Sequence, residues 1–177
     1  MVWKYILCAV LGYLLGNIPS GVLIAKGYGA CLLGRWLGGD LGMLLGGIFA
    51  ILGHDFPVFM GFRGGKGIAT SLGLIIAISP WLALAELAVQ IIAVALTRYM
   101  SIASLITTVA FPVVPGFMCR DWENYGLFLG AACVASALSL FGHRSNIQRL
   151  LRGEENRLDF HKISDVSRKV MAKMRRK

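Results

Sequence analysis

Apolar stretches of membrane-crossing length follow one another along most of this chain. A helix needs roughly 20 apolar residues to cross a hydrocarbon core of about 30 Å, and apolar stretches lie at 2–25, 68–97, 102–118 and 125–141. Only 15% of the 177 residues are charged, against about 25% in soluble domains. This composition argues against a soluble globule and excludes a disordered chain. The sequence predicts an all-α, polytopic membrane helical bundle with about five to seven spanning or re-entrant helices.

Interruptions in these stretches determine how often the chain crosses. Ser79-Pro80 divides the stretch 68–97, because the residue before a proline disfavours helix, and this predicts helices at about 68–78 and 81–97. Residues 2–25 are predicted to form one span ending near Lys26. The glycine-rich residues 27–53 extend about 40 Å as a helix, enough for one crossing but not for two. Two alternatives stay open: a re-entrant or interfacial hairpin, or a first helix that runs in the opposite direction.

Counting the crossings from residue 54 onward places three polar segments on one membrane face. These segments are 54–66, 98–104 and 143–152, whereas the opposite loop at 120–123 holds one arginine and two acidic residues. Since basic residues are concentrated in cytoplasmic loops, the shared face is predicted to be cytoplasmic. Separate polar loops on one face of the membrane can build a single site.

The charge distribution divides the chain into two regions. Residues 1–151 are predicted to form the transmembrane domain, and residues 152–177, with nine Lys/Arg and four Asp/Glu, a basic cytoplasmic tail. Such a tail suits anionic lipid headgroups better than nucleic acid, although a solvated end that only fixes orientation has the same composition. The four cysteines lack metal or disulfide spacing and are interpreted as small buried apolar residues. No metal site is expected.

The strongest motif surrounds Lys66 and is rich in glycine. Glycines let backbone amides approach an oxyanion closely, and a helix starting near Ile68 adds its positive end. The nucleotide-binding P-loop needs Ser or Thr after the lysine, whereas Gly67 follows here. The motif predicts a phosphate site, and a flexible basic loop at the headgroups is the alternative. The candidate substrate-binding residues in it are Arg63, Gly64, Gly65 and Gly67.

Two further polar segments offer candidate site residues. The hydroxyls of Ser101 and Ser104 can cap a helix or hydrogen-bond a substrate oxygen. His143 and Asn146 are three residues apart and share one face if this segment is helical. The alternative for the second segment is a solvated helix beside the membrane with a cluster of arginines.

Together these segments resemble the acyl-phosphate:glycerol-3-phosphate acyltransferases, integral membrane enzymes of bacterial phospholipid synthesis. The resemblance runs from Leu52 to about Arg157 and is most specific over residues 54–70, which read His-x-x-Pro-x-Phe-x-x-Phe-Arg-Gly-Gly-Lys-Gly-Ile-Ala-Thr. It implies transfer of a fatty acyl group from acyl phosphate to the 1-hydroxyl of glycerol 3-phosphate. It also implies a site at the cytoplasmic face of the cell membrane, without metal or cofactor. By motif position, the implied catalytic residues are Lys66, Ser104, His143 and Asn146, with Ser101 also binding substrate.

The sequence departs from this family after the first helix. The family carries a Gly-Ser-Gly-Asn…Gly-Ala-Thr-Asn loop there, whereas here Lys26 runs directly into residues 27–31. Three functions therefore remain open: an active acyltransferase with an abbreviated N-terminal part, an impaired homologue that binds phosphate substrates, and a small membrane transporter. Glu86 and Gln90 lie on one face of a predicted span and suit either a transport pathway or a polar contact between helices.

Overall fold

The computed structural model of the protein describes residues 2–18, 22–62 and 64–159. The candidate residue Arg63 and most of the predicted tail lie outside these ranges. The described residues contain no strand, which confirms the all-α prediction. They form a short 3-10 turn at Val58–Met60 and seven α-helices, namely α1 (Val2–Asn17), α2 (Leu23–Asp55), α3 (Ile68–Ile78), α4 (Pro80–Thr97), α5 (Met100–Met118), α6 (Tyr125–Gly142) and α7 (Arg144–Leu151).

Helix α2 is folded into a helical hairpin. Its backbone leaves helical geometry at Gly38 and Gly39, and Gly39 has a φ of +63°, a conformation that favours glycine. The halves, 23–37 and 40–55, approach so closely that a Cβ at Gly34 would collide with the carbonyl oxygen of Gly42. Each half extends about 22–24 Å, less than the hydrocarbon thickness of about 30 Å. The chain thus adopts the hairpin alternative, with two short limbs.

The predicted single span over residues 2–25 is wrong. Helix α1 ends at Asn17 and α2 begins at Leu23, since Pro19 disfavours helical geometry at the residue before it. Helix α1 lies parallel to the second half of α2, with the backbone of Gly12 against that of Gly46. The connection between α1 and α2 therefore lies at the same end of the bundle as the end of α2.

The remaining helices alternate in direction and complete the bundle. The chain turns at Ser79, as predicted, and Pro80 takes the first position of α4, where its missing N–H costs no hydrogen bond. Helix α2 packs on α3 and α6, and α4 and α5 pack on each other. By length and composition four helical segments could cross a membrane, namely Leu23–Met60, Pro80–Thr97, Met100–Met118 and Tyr125–Gly142, whereas α1 and α3 are shorter. The first of the four is the segment that folds back at Gly38 and Gly39, so its length is divided between two short limbs.

This alternation brings the starts of α3 and α5 and the end of α6 to one end of the bundle, here called the site end. Side chains from all three predicted polar segments line a common cavity there, which confirms that these segments share a face. Helix α7 continues from α6 at this end. Large apolar side chains such as Trp36, Trp81 and Leu96 are exposed on the outside of the bundle, as expected for residues that face lipid.

Candidate active site

An open cavity at the site end, with an empty volume of about 1170 Å³, gathers the predicted catalytic residues. Three segments far apart in sequence thus meet in one place. The predicted roles of the residues stay predictions. Gly64 lines a neighbouring cavity. The predicted site residues in this cavity are Gly65, Lys66, Gly67, Ser101, Ser104, His143 and Asn146.

The loop that carries Lys66 is shaped by the end of α2. The Gly65 amide donates a hydrogen bond to the His54 carbonyl oxygen at 3.1 Å, and a Cβ at Gly65 would collide with the His54 ring. Gly67 has a φ of +72°, and a Cβ there would lie 3.0 Å from Asp55 Oδ2. Glycine is therefore required at both positions for the loop to fold against α2.

Helix α3 begins immediately after this loop and points its positive end at the cavity. Gly67, Ile68 and Ala69 line the cavity, and no side chain caps the start of α3 within the described ranges. Uncapped amides at a helix start, together with the helix dipole, favour an anion. Lys66 adds a full positive charge beside them. This combination is suited to phosphate.

His143 follows α6 directly and is held in one tautomer. Its Nδ1 donates a hydrogen bond to the Ser139 carbonyl oxygen at 2.8 Å, since a carbonyl oxygen only accepts. The Nε2 of the neutral ring therefore keeps its lone pair. The side chain is 2% exposed, and burial lowers the pKa of His143, with a further lowering from the charge of Lys66. The ring is neutral at pH 7 and able to accept a hydrogen bond or a proton.

A hydrogen-bonded cluster around Glu155 positions Ser101 and Asn146. The Glu155 carboxylate accepts hydrogen bonds from Ser101 Oγ, from Asn146 Nδ2 at 3.2 Å and from Arg149 Nε at 2.7 Å. Asn146 Nδ2 also donates to Ser101 Oγ at 2.8 Å. The hydrogen bond from Ser101, with those from Arg149 and Asn146, lowers the pKa of Glu155. The cluster leaves buried Asn146 Oδ1 as an acceptor without a partner in the described chain.

Sequence reasoning missed Glu155 because it fell within the predicted tail. In the structure the Leu158 amide donates to the Arg98 carbonyl oxygen at 2.7 Å, so the segment 152–159 folds back onto the start of α5. The sequence offers only one indication that Glu155 lies near the site. Glu155 follows Asn146 by nine residues, just beyond the end of a short helix. Helical periodicity does not relate the two positions, because the chain turns between them.

His54 and Gln90 also line the cavity and were not among the predicted site residues. Gln90 Oε1 accepts a hydrogen bond from Thr107 Oγ1 at 2.6 Å, so it joins α4 to α5 as a polar contact between helices. Glu86, one turn away, is 2% exposed and has no hydrogen-bond partner within the described residues. In those ranges no group of three or more His, Cys, Asp or Glu side chains is arranged to hold a metal ion.

The bundle and its cavity define an integral membrane protein with a polar, lysine-containing cavity at one end. Residues 24–153 match the sequence profile of the family described as Glycerol-3-phosphate acyltransferase. The glycerol-3-phosphate acyltransferase of Thermoanaerobacter sp. (strain X514) is 40% identical over 149 residues, which cover 84% of this chain and 73% of the relative. The glycerol-3-phosphate acyltransferase of Listeria monocytogenes serotype 4a (strain HCC23) is 40% identical over 152 residues, which cover 84% of this chain and 74% of the relative.

Two solved structures have the same fold. Both are crystal structures of PlsY (YgiH), an integral membrane glycerol 3-phosphate acyltransferase. Its glycerol 3-phosphate form matches with a TM-score of 0.76 and 28% identity over 90% of this chain and 98% of that one. Its lysophosphatidic acid form matches with a TM-score of 0.75 and 30% identity over 88% of this chain and 95% of that one. The chain belongs to the glycerol-3-phosphate acyltransferase family.

Some relatives contain segments that this chain lacks. The match to the glycerol-3-phosphate acyltransferase of Thermosynechococcus vestitus (strain NIES-2133 / IAM M-273 / BP-1) is 31% identical, extends over 202 residues and covers 94% of that relative and 86% of this chain. Because 202 residues exceed the 177 of the whole chain, part of the relative has no counterpart here. The short connection between α1 and α2 agrees with the absence, noted from the sequence, of a family loop after the first helix.

Proposed function

We propose that this protein transfers a fatty acyl group from acyl phosphate to the 1-hydroxyl of glycerol 3-phosphate, giving lysophosphatidate and inorganic phosphate. The observation that carries the proposal is the single cavity in which Lys66, Ser104, His143 and Asn146 meet, in a chain of this family. The two substrates share phosphate chemistry, which matches the cation and the open helix start.

Each residue in the cavity has a role that follows from its position. Lys66 and the first amides of α3 offset the charge on the leaving phosphate, as preorganised donors do at developing anions. Gly64 and Gly67, with Arg63 from the same loop, are proposed to bind phosphate. Ser101 and Ser104 offer hydroxyls to substrate oxygens. His143 Nε2 and Asn146 Oδ1 are acceptors for the hydroxyls of glycerol 3-phosphate.

The reaction needs no protein nucleophile. The 1-hydroxyl oxygen forms a bond to the acyl carbonyl carbon, the bond from that carbon to the phosphate oxygen breaks, and phosphate leaves with the electron pair. The hydroxyl proton passes to a phosphate oxygen of the substrate, while His143 orients the hydroxyl. Holding both substrates in contact supplies roughly 7–11 kcal/mol of the barrier.

An apolar cavity beside the site suits the acyl chain. It lies between α3, α4 and α5, has an empty volume of about 490 Å³, and shares Ile68, Leu72 and Gln90 with the catalytic cavity. An acyl phosphate whose phosphate lies at Lys66 can therefore extend its chain into the bundle. Burial of each methylene there contributes about 0.8 kcal/mol.

The site end is proposed to face the cytoplasm in the cell membrane. It carries Lys26, Lys66, Arg98, Arg144 and Arg149, whereas the acidic and basic residues of the opposite end are balanced. The positive-inside rule favours this orientation. Residues 1–151 are proposed to be the catalytic membrane domain. Of the basic segment 152–177, residues 152–159 fold back onto this domain through Glu155 and Leu158, and the basic residues of the segment are proposed to contact anionic lipids.

Purified protein in detergent, supplied with palmitoyl phosphate and labelled glycerol 3-phosphate, tests the proposal by the formation of lysophosphatidate. Turnover establishes an acyltransferase. Saturable binding of glycerol 3-phosphate without turnover supports instead an impaired homologue, which the missing family segment favours as the second candidate. Absence of both turnover and binding rules out both candidates.

The pH dependence of turnover distinguishes the two possible proton acceptors. Burial places the pKa of His143 below its ordinary value of 6.5, so a catalytic histidine would become protonated, and activity would fall, below that pH. A substrate phosphate, whose second pKa is about 6, gives a similar acid limb. We expect His143→Gln to lower turnover while leaving the acid limb in place. If the limb disappears in both His143→Gln and His143→Ala, the ring is the base.

Removing the Glu155 carboxylate is expected to lower activity at least about tenfold, because Asn146 and Ser101 each lose a charge-assisted hydrogen bond. Glu155→Ala tests this, with Glu154→Ala as control, since Glu154 is exposed and adjacent. The lowered pKa of Glu155 means that the wild-type cluster is intact above the ordinary carboxyl pKa and is lost as the pH falls through the folded value. Equal kcat/KM for the two variants would contradict the role of the cluster.

A further inference from the structure

Gln90 lies where the catalytic cavity and the apolar cavity join. Three residues line both cavities, namely Ile68, Leu72 and Gln90, and Gln90 has the one polar side chain among the three. An acyl phosphate with its phosphate at Lys66 and its chain in the apolar cavity must pass this junction. Because the acyl carbonyl connects the phosphate to the first methylene of the chain, the reacting carbonyl group lies beside Gln90.

The Gln90 amide is held in one orientation by α5. Its Oε1 accepts a hydrogen bond from Thr107 Oγ1 at 2.6 Å. The Thr107 hydroxyl also lies 3.0 Å from the Ala103 carbonyl oxygen, but it has a single hydrogen, and the nearer acceptor takes it. With Oε1 engaged at α5, the amide nitrogen is directed towards Met100, which lines the catalytic cavity. Gln90 therefore presents hydrogen-bond donors to the side on which the substrates meet.

The donor side of this amide is only weakly satisfied. Nε2 carries two hydrogens, and in the described part of the chain its one hydrogen-bond partner is Met100 Sδ at 3.5 Å. A thioether sulfur is a weak acceptor. The Met100 side chain is exposed and unbranched, so it can move aside. A carbonyl oxygen of the substrate is a stronger acceptor than the sulfur and would replace it at Nε2.

We propose that Gln90 Nε2 is a catalytic donor to the acyl carbonyl oxygen of acyl phosphate. The inference rests on the proposed function, in which the acyl carbon is attacked. As the 1-hydroxyl oxygen bonds to that carbon, the electron pair of the carbonyl double bond moves onto the carbonyl oxygen. The pair returns when the bond to the phosphate oxygen breaks, phosphate leaves with the electrons of that bond, and the hydroxyl proton passes to a substrate phosphate oxygen.

The charge on the carbonyl oxygen is separate from the charge that Lys66 offsets. Lys66 and the start of α3 act on the leaving phosphate, whereas the intermediate carries its new charge on the former carbonyl oxygen. A donor that is already oriented before the reaction stabilises such an oxyanion without a cost of reorganisation. The hydrogen bond from Thr107 provides this orientation for Gln90.

Steady-state kinetics separates this role from a simple contact between helices. Gln90→Met keeps the length of the side chain but removes the amide, and we expect kcat to fall about 10–100-fold, with an unchanged KM for glycerol 3-phosphate. Thr107→Val breaks the same link between α4 and α5 but leaves the amide donor, so its loss is expected to be about threefold at most. Gln148→Met is the matched control, since Gln148 is exposed on α7. Equal losses in Gln90→Met and Thr107→Val overturn the inference.

Two unreactive analogues of palmitoyl phosphate test the donor without turnover. In 2-oxoheptadecylphosphonate a ketone takes the place of the acyl carbonyl and a methylene that of the bridging oxygen, whereas heptadecylphosphonate lacks the ketone. Calorimetric titration in detergent gives the ratio of the two dissociation constants. We expect Gln90→Met to shift this ratio about 3–10-fold against the ketone. Retained binding of heptadecylphosphonate shows that the variant is folded.

The outcomes of this titration distinguish the inference from the proposed function. A ratio that shifts in Gln90→Met but not in Gln148→Met supports Gln90 as the donor. An unchanged ratio in Gln90→Met overturns the inference, while binding of the analogues by the wild type still supports a site for acyl phosphate. If the wild type binds neither analogue, the proposed function is wrong, and the inference that rests on it is wrong as well.

Discussion

Lys66→Met is expected to lower turnover by about 10²–10³-fold, the usual cost of removing one preorganised donor to a developing anion. Methionine keeps the length and apolar stem of the side chain but removes the charge. The start of α3 remains, so its open amides still attract phosphate. Lysophosphatidate formation at saturating substrate measures the loss. Because the charge acts on the leaving phosphate, the fall is expected mainly in kcat.

Lys66→Arg separates charge from geometry. Arginine keeps the positive charge but presents a planar fork in place of a compact ammonium, and the backbone of Lys66 is crowded, since a Cβ at Gly142 would lie 3.3 Å from the Lys66 Cα. We expect a partial recovery relative to Lys66→Met. Activity of Lys66→Met within a factor of two of the wild type would show that the cation has no part in the reaction.

The sequence predicted the all-α bundle and the polar segments that share one end of it, but not the arrangement of its first two helices. Lys66, Ser104 and His143 were singled out by their positions in motifs that resemble those of the family, and counting the crossings placed their segments on one face. The cavity that joins them confirms that count. The count of membrane crossings is correct from residue 54 onward, where each apolar span ends at clearly polar residues.

The N-terminal hairpin was not decided by sequence because its signal is short-range backbone geometry. Residues 27–53 are apolar apart from Arg35 and Asp40, which flank the turn at Gly38 and Gly39. Two isolated charges do not distinguish a turn from an interfacial position within a longer helix. The turn depends on a positive φ and on close backbone packing, as at Gly34 against Gly42. Glycine permits both but does not indicate where along a glycine-rich run either occurs.

The short connection between α1 and α2 brings the residues that flank it close to the glycine-rich loop. In this chain Asn17 and Lys26, at the two ends of that connection, line a cavity beside the catalytic one. A longer loop at this place would have room to enter the same space.

Gly65→Ala is expected to abolish most activity, by about 10² or more, because the added methyl group would collide with the His54 ring. To make room, either the ring or the loop must move. The loop carries Lys66, and a misplacement of about 1 Å at a reacting group can cost about 10²-fold in rate. His54 lines the catalytic cavity and the neighbouring cavity lined by Asn17 and Lys26, so displacement of its ring would alter both. Lysophosphatidate formation measures the loss.

Two comparisons show whether the collision is the cause. Gly130→Ala adds the same methyl group on α6, where nothing lies within 4 Å of it, and is expected to keep full activity. In a His54→Ala background the methyl at residue 65 has space, so the further loss caused by Gly65→Ala should shrink to a few-fold. If the loss is instead undiminished in that background, glycine is needed at residue 65 for the conformation of its own backbone. The contact with His54 then does not explain the loss of activity.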